Sequence, residues 1–102
     1  MSNSSSVRQS VGRFVLGRLS MTRGTQAALP EQSILDCFRR HARGDFGDVC
    51  NEDFEANLDA LSEGLRILSV YHCDNKHGDR TKVYVITEAD RSTTTVLLAE
   101  EY

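Results

Sequence analysis

The last three apolar runs of the chain, and what separates them, constrain its fold more than any other feature. About Arg66–His72, Lys82–Thr87 and Thr93–Leu98 the residues are largely β-branched, aromatic or aliphatic. The connections, CDNKHGDRT and EADRS, are built from turn formers. Runs this short, joined this tightly, predict a three-strand meander. Upstream the period changes. Glu31–Arg43 sets Ile34, Leu35, Phe38 and Ala42 on one side and Asp36, Arg39, Arg40 and Arg43 on the other, as in a surface helix. Pro30 fits its first position and Gly44 its left-handed cap. Asn51–Leu65 carries Phe54, Leu58, Leu61 and Leu65 at 4-3-4 spacing. Asn51 or Asp48 is its expected N-cap, with Glu52 and Asp53 in the first turn. Before both, FVLGRLSM (Phe14–Met21) suits a first strand, which Gly17 either weakens or marks with a bulge. Thr22 then caps a short helical turn through Gln26–Leu29. This order predicts an α+β fold: a short N-terminal strand, then two to three helices packed on one face of a small antiparallel sheet ending in the meander.

At 102 residues the chain is expected to form one domain, residues 13–102, behind a Ser-rich disordered tail, residues 1–12. No apolar run approaches the roughly 20 residues of a membrane span, and the start lacks a signal-peptide core, so a cytoplasmic protein is expected. Cys37, Cys50 and Cys73 are odd in number and contain no C-x-x-C pair, which predicts reduced thiols rather than a disulfide framework or a zinc finger. Charge is split. Residues 1–30 carry four arginines and no acid, while residues 31–102 carry 15 acids against 8 bases, a net −7. Such a body argues against direct nucleic-acid binding, which neutralises phosphates with Lys and Arg, and no basic recognition helix is evident.

Few residues have the makings of chemistry. The polar insert between the last two strands, T-E-A-D-R-S-T-T-T, holds Glu88 and Arg91 beyond what a turn needs. His41 and Asn57 fall on the apolar sides of their helices, and both need hydrogen-bond partners if buried. A structural part is expected for each: His41 tying down the following turn, Asn57 holding a strand or loop. In GDFGD (Gly44–Asp48), Asp45 braces a turn and Phe46 enters the core; calcium-loop spacing is missing. His72, Cys73, Asp74 and His77 are metal-capable types, but without a second ligand pair they read as a hairpin tip, so no metal and no cofactor are expected.

Were Glu88 and Arg91 to converge with His41 and Asp45, they would supply a general base, a general acid and a cation for phosphodiester cleavage. The order of helices and meander is similar to that of small barnase-like ribonucleases, so a metal-independent ribonuclease or toxin is the alternative reading. The other feature is a stripe. Glu52, Glu55, Asp59 and Glu63 follow 3-4-4 spacing opposite the Phe54/Leu61 seam, with no Lys or Arg between Gly44 and Leu65. It is either a solvated face or a surface that docks on a basic groove where a partner would otherwise hold nucleic acid.

Four stretches are shared with a known group: R-H-A-R-G-D-F-G-D (Arg40–Asp48), E-D with a following Asn (Glu52, Asp53, Asn57), E-G-x-R-I-L-S-x-Y (Glu63–Tyr71), and I-T-E-A-D-R-S-x-T-T-x-L-L-x-x-E-Y (Ile86–Tyr102). On these words the chain, from Phe14 to Tyr102, resembles a family of small bacterial proteins carried on plasmids, phages and integrative elements. Phe46 stands where the family usually has tryptophan, and Arg23 where proline is common. Members are sometimes named as restriction–modification subunits, but this chain shows no Gly-rich cofactor loop and has no room for a methyltransferase domain. The resemblance implies a mobile-element context and gives His41, Gly44, Asp45, Asn57, Glu88, Asp90, Arg91 and Thr94 a common structural or binding role. The expected function is non-enzymatic: binding and modulating a host protein, with a nucleic-acid-handling defence complex as the target (anti-restriction or anti-CRISPR).

Overall fold

The computed structural model describes residues 14–102; the tail expected at residues 1–12 lies outside the described residues. The fold is α+β. One sheet runs in the order β1 (Arg18–Met21), β4 (Thr93–Leu98), β3 (Arg80–Thr87), β2 (Ile67–Asp74). Three helices, α1 (Arg23–Ala28), α2 (Glu31–Ala42) and α3 (Asn51–Glu63), separate β1 from the meander, and a 3-10 turn, Ala99–Glu101, follows β4. The sheet is mixed rather than antiparallel throughout, because β1 pairs parallel to β4. Parallel pairing needs a long crossover, and the helices with the β2–β3 hairpin supply it.

Alternation sorts the strands as the apolar runs require. Val83 and Val85 of β3, Tyr71 of β2, and Val96 and Leu98 of β4 pack against Leu29 and the α2 residues Ile34, Cys37 and Phe38. Burying each large aliphatic or aromatic side chain of this set contributes about 1.5–3 kcal/mol. A second core joins Phe46, Val49, Ala60, Ile67 and Val70. Ile67 and Val70 point to opposite sides of β2, so α3 and the Phe46–Val49 segment wrap the outer edge of that strand.

That edge is closed by two devices. The Asn57 amide donates to the Leu68 carbonyl (2.6 Å) and accepts from the Leu68 N–H (3.0 Å), standing in for a neighbouring strand. One step along, the Val70 N–H donates to the Phe46 carbonyl (2.9 Å) and the Asp48 N–H to the Val70 carbonyl (2.7 Å). An open β-edge invites pairing with other chains, and these bonds cover the first half of this one, at Leu68 and Val70.

Helix details depart from expectation in ways that packing explains. Leu35 of α2 is exposed and Cys37 buried, because the face turned to the sheet is the Ile34–Cys37–Phe38–His41 stripe; His41 lies on that apolar side as its spacing suggested. Pro30 is the N-cap of α2 rather than its first helical residue. On α3 the deepest residues are Asn57 and Ala60, and Leu65 lies exposed beyond the Gly64 cap. Cys50, not Asn51 or Asp48, is the α3 N-cap, and its side chain makes no capping bond. Thr22 caps α1 as expected, accepting from the Thr25 N–H at 3.1 Å, and the helix runs from Arg23 to Ala28.

Candidate functional site

His41 is fully buried at the end of α2. Its Nδ1 lies 2.5 Å from Ser69 Oγ on β2 and its Nε2 2.8 Å from Thr87 Oγ1 on β3. Thr87 Oγ1 is 2.6 Å from Thr94 Oγ1 on β4, and Thr94 donates to the Leu16 carbonyl at 2.7 Å. A carbonyl only accepts, and each hydroxyl has one proton, so the chain has one consistent direction. Thr94 gives its proton to Leu16, Thr87 gives its own to Thr94, and Thr87 therefore accepts from His41 Nε2–H. Nδ1 is left as the acceptor for Ser69. Burial without a charged partner pulls the His41 pKa down to about 3, so the ring is neutral at pH 7. The edge of the Phe14 ring closes on it, centroid to centroid 5.1 Å. His41 therefore ties three strands together rather than the turn that follows it.

That turn is held by its neighbours. Arg40 makes a forked pair with Asp45, Nε to Oδ2 at 2.7 Å and Nη2 to Oδ1 at 3.2 Å, and its guanidinium lies 4.3 Å from the centre of the Tyr71 ring. Partial burial pushes the Asp45 carboxyl up, but the fork and the Arg40 charge win and hold it below the usual range. The Tyr71 hydroxyl donates to the Asp45 carbonyl, and burial raises its pKa. Buried Gly44 donates to the His41 carbonyl (2.9 Å), and Gly47 forms a parallel bridge with Val70.

Arg91 serves a different element. Its Nη2 donates to the Ala60 carbonyl (2.8 Å) and Nη1 to those of Leu65 (2.7 Å), Ala89 (3.1 Å) and Glu88 (3.2 Å). The last turn of α3 has no basic residue, so this guanidinium from the β3–β4 turn supplies the cation its dipole favours. Asp90 accepts from the Ser92 N–H (2.9 Å); the Ser92 hydroxyl and N–H lower its pKa. The Glu88 side chain is exposed and in no salt bridge among the described residues, and Arg91 meets Glu88 through the backbone carbonyl and not through a carboxylate pair.

The candidate residues thus divide into three groups. His41 and Thr94 belong to the buried hydroxyl chain, Gly44 and Asp45 to the turn beside it, and Asn57, Asp90 and Arg91 to the α3 edge and the hairpin turn. Sequence reasoning missed Ser69, Thr87, Tyr71 and Arg40. The one available signal was alternation, since Ser69 and Tyr71 share the inward side of β2.

The acidic residues Glu52, Glu55, Asp59 and Glu63 are all exposed on α3, and none forms a salt bridge among the described residues. The metal-capable types at the hairpin part company. His72 Nδ1 is 3.4 Å from Asp48, Cys73 faces Cys37, Asp74 pairs with Arg80, and the His77 N–H donates to Asn75. Among the described residues no three His, Cys, Asp or Glu side chains group closely enough to hold a metal ion. No described helix is long and apolar enough to cross a membrane. Compared with family models, with curated proteins and with solved structures, the chain matches none.

Proposed function

We propose that this chain is a small non-enzymatic interaction protein of a mobile genetic element, docking α3 on a basic surface of a host protein and modulating it. One observation carries the reading. Glu52, Glu55, Asp59 and Glu63 stand on one exposed helix face, free of salt bridges among the described residues, in a stretch from Gly44 to Leu65 that contains no Lys or Arg. Unneutralised charge of one sign steers a complementary partner and raises association rates by about 10–10³-fold, falling with salt. Basic surfaces of that kind are found where proteins hold nucleic acid, which makes a nucleic-acid-handling defence complex the target. The mobile-element setting rests on the shared sequence words, and anti-restriction or anti-CRISPR activity is the specific form.

The ribonuclease alternative asks His41 to hand a proton to a substrate. A general acid must reach the leaving oxygen directly or through one water, and a buried neutral ring bonded at both nitrogens does not. Arg91, the other member of that set, is committed to four backbone carbonyls.

The test is phage plating on hosts with active restriction or CRISPR immunity, with and without the protein. Plating should rise with wild type and return to the immune level with Glu55→Lys/Asp59→Lys, whose exposed substitutions leave Tm within a few degrees. No rise in either host would overturn the anti-defence reading. A rise that survives both reversals would remove α3 as the docking face.

A further inference from the structure

Two of the three thiols meet. Cys37 Sγ, on the buried side of α2, lies 3.7 Å from Cys73 Sγ near the end of β2. Cys73 shares the inward side of β2 with Tyr71, whose ring carries the Arg40 guanidinium one helical turn beyond Cys37. From this geometry we infer that Cys37 and Cys73 form an oxidation site for hydroperoxides, closing to a disulfide that fastens α2 to β2.

The parts suit the reaction. Two sulfurs at van der Waals contact need a movement of under ~2 Å to reach the S–S bond length of about 2.05 Å. Cys73 is half-buried and reachable, whereas Cys37 is enclosed. The hydrogen bond with Cys37, with the charges of Arg80 and Arg40, brings the Cys73 thiol down to about 7, against its burial, which makes Cys37 the donor of the S···S contact. The same hydrogen bond and burial push Cys37 up, so Cys73 is the thiolate and Cys37 keeps its proton. Reactive cysteines sit in such partly exposed, electropositive places.

The step balances. The Cys73 thiolate attacks the distal oxygen of the hydroperoxide; the O–O bond breaks, an S–O bond forms, and the departing alkoxide or hydroxide takes a proton from solvent. Cys37 sulfur then attacks the Cys73 sulfenic acid. The S–O bond breaks as the S–S bond forms, and the Cys37 proton leaves with the hydroxide as water. Two thiols are oxidised by two electrons, which the peroxide accepts.

The experiment uses the full chain carrying Cys50→Ser, which removes the exposed third thiol. Cys50 is the α3 N-cap, where serine is preferred, so the background is expected to fold at least as well. With stoichiometric hydrogen peroxide, intact mass should fall by two hydrogens, free thiols should drop from two to none, and a Cys37–Cys73 peptide should appear. The oxidised chain should melt several degrees higher, since the cross-link closes a long loop. Adding Cys73→Ser, at the half-exposed position, should leave Cys37 unmodified at the same peroxide dose. Mass gains of one or more oxygens without loss of hydrogen, or covalent dimers in place of the internal link, would overturn the site.

Discussion

His41 shows how one residue's environment sets both its role and its pH dependence. Its ring stays neutral in the fold, with the pKa lowered to about 3 by burial, while in the unfolded chain it titrates near the ordinary 6.5. Between these values the unfolded chain binds a proton that the native one does not. Stability is therefore fully present above pH 6.5 and declines as pH falls toward 3, at up to about 1.4 kcal/mol per unit and roughly 4–5 kcal/mol in all. Asp45, whose carboxyl is lowered from 3.8, adds its own loss only below about pH 4, so the window from 6.5 to 4.5 isolates His41. Urea unfolding across that window should give a falling midpoint for wild type and a nearly flat one for His41→Gln. The variant should start about 1–3 kcal/mol lower at pH 7, because Ser69 and Thr87 lose a partner. Parallel slopes in the two proteins would refute the neutral buried ring. That His41 is buried was legible from its place beside Ile34 and Phe38. Its partners were not, since a Ser or Thr in a strand is ordinary and nothing local shows which ones line up across β2, β3 and β4.

At the scale of the element, α3 depends on a residue far along the chain. Arg91 adopts φ 63°, the left-handed region that costs a side-chain-bearing residue about 1–2 kcal/mol, yet the position keeps arginine. The guanidinium is the compensation, because its bonds to the Ala60 and Leu65 carbonyls hold the end of α3. Arg91→Ala keeps the strain and loses the bonds, and should cost about 2–3 kcal/mol by thermal or urea unfolding. Arg91→Gly loses the same bonds but relieves the strain, so it should fall about 1 kcal/mol short of that loss. Amide exchange at Gly64 and Leu65, which both donate to the Ala60 carbonyl, should quicken in each. An alanine variant as stable as the glycine one would mean that the backbone at Arg91 is not strained. The hairpin itself was legible: β4 is bounded as its sequence suggested, and turn formers fill the connection. The cation was not, because a side chain's acceptors 26 and 31 residues away leave no local pattern.

For the whole molecule, the decisive junction is where the first described residues meet the last strand. The Arg18 N–H donates to Ser92, the Thr22 N–H to Val96, and Thr94 to the Leu16 carbonyl, while Glu101 accepts from both Thr22 Oγ1 (2.6 Å) and the Leu98 N–H (2.9 Å). The strand was legible in FVLGRLSM, but its partner and these bonds were not. Leu19 and Met21 are exposed, since backbone bonds to β4 and not side-chain burial dock β1. Gly17 is what lets the two backbones close. Its φ is +68°, and a Cβ there would collide with the Arg91 and Ser92 carbonyl oxygens, backbone atoms that cannot swing aside. Gly78 also has positive φ, +87°, but a Cβ there would meet open space. The pair separates local strain from collision. Gly78→Ala should cost only about 1 kcal/mol, the conformational share. Gly17→Ala should cost clearly more and strip exchange protection first from the Arg18 and Thr22 amides, leaving the β2–β3 hairpin protected until global unfolding. Because Leu16 also ends the hydroxyl chain from His41, the same substitution should loosen Thr94 and Thr87, so the His41 pH slope should weaken with it. If Gly17→Ala cost no more than Gly78→Ala, β1 would be an ornament on the sheet rather than the element that closes it.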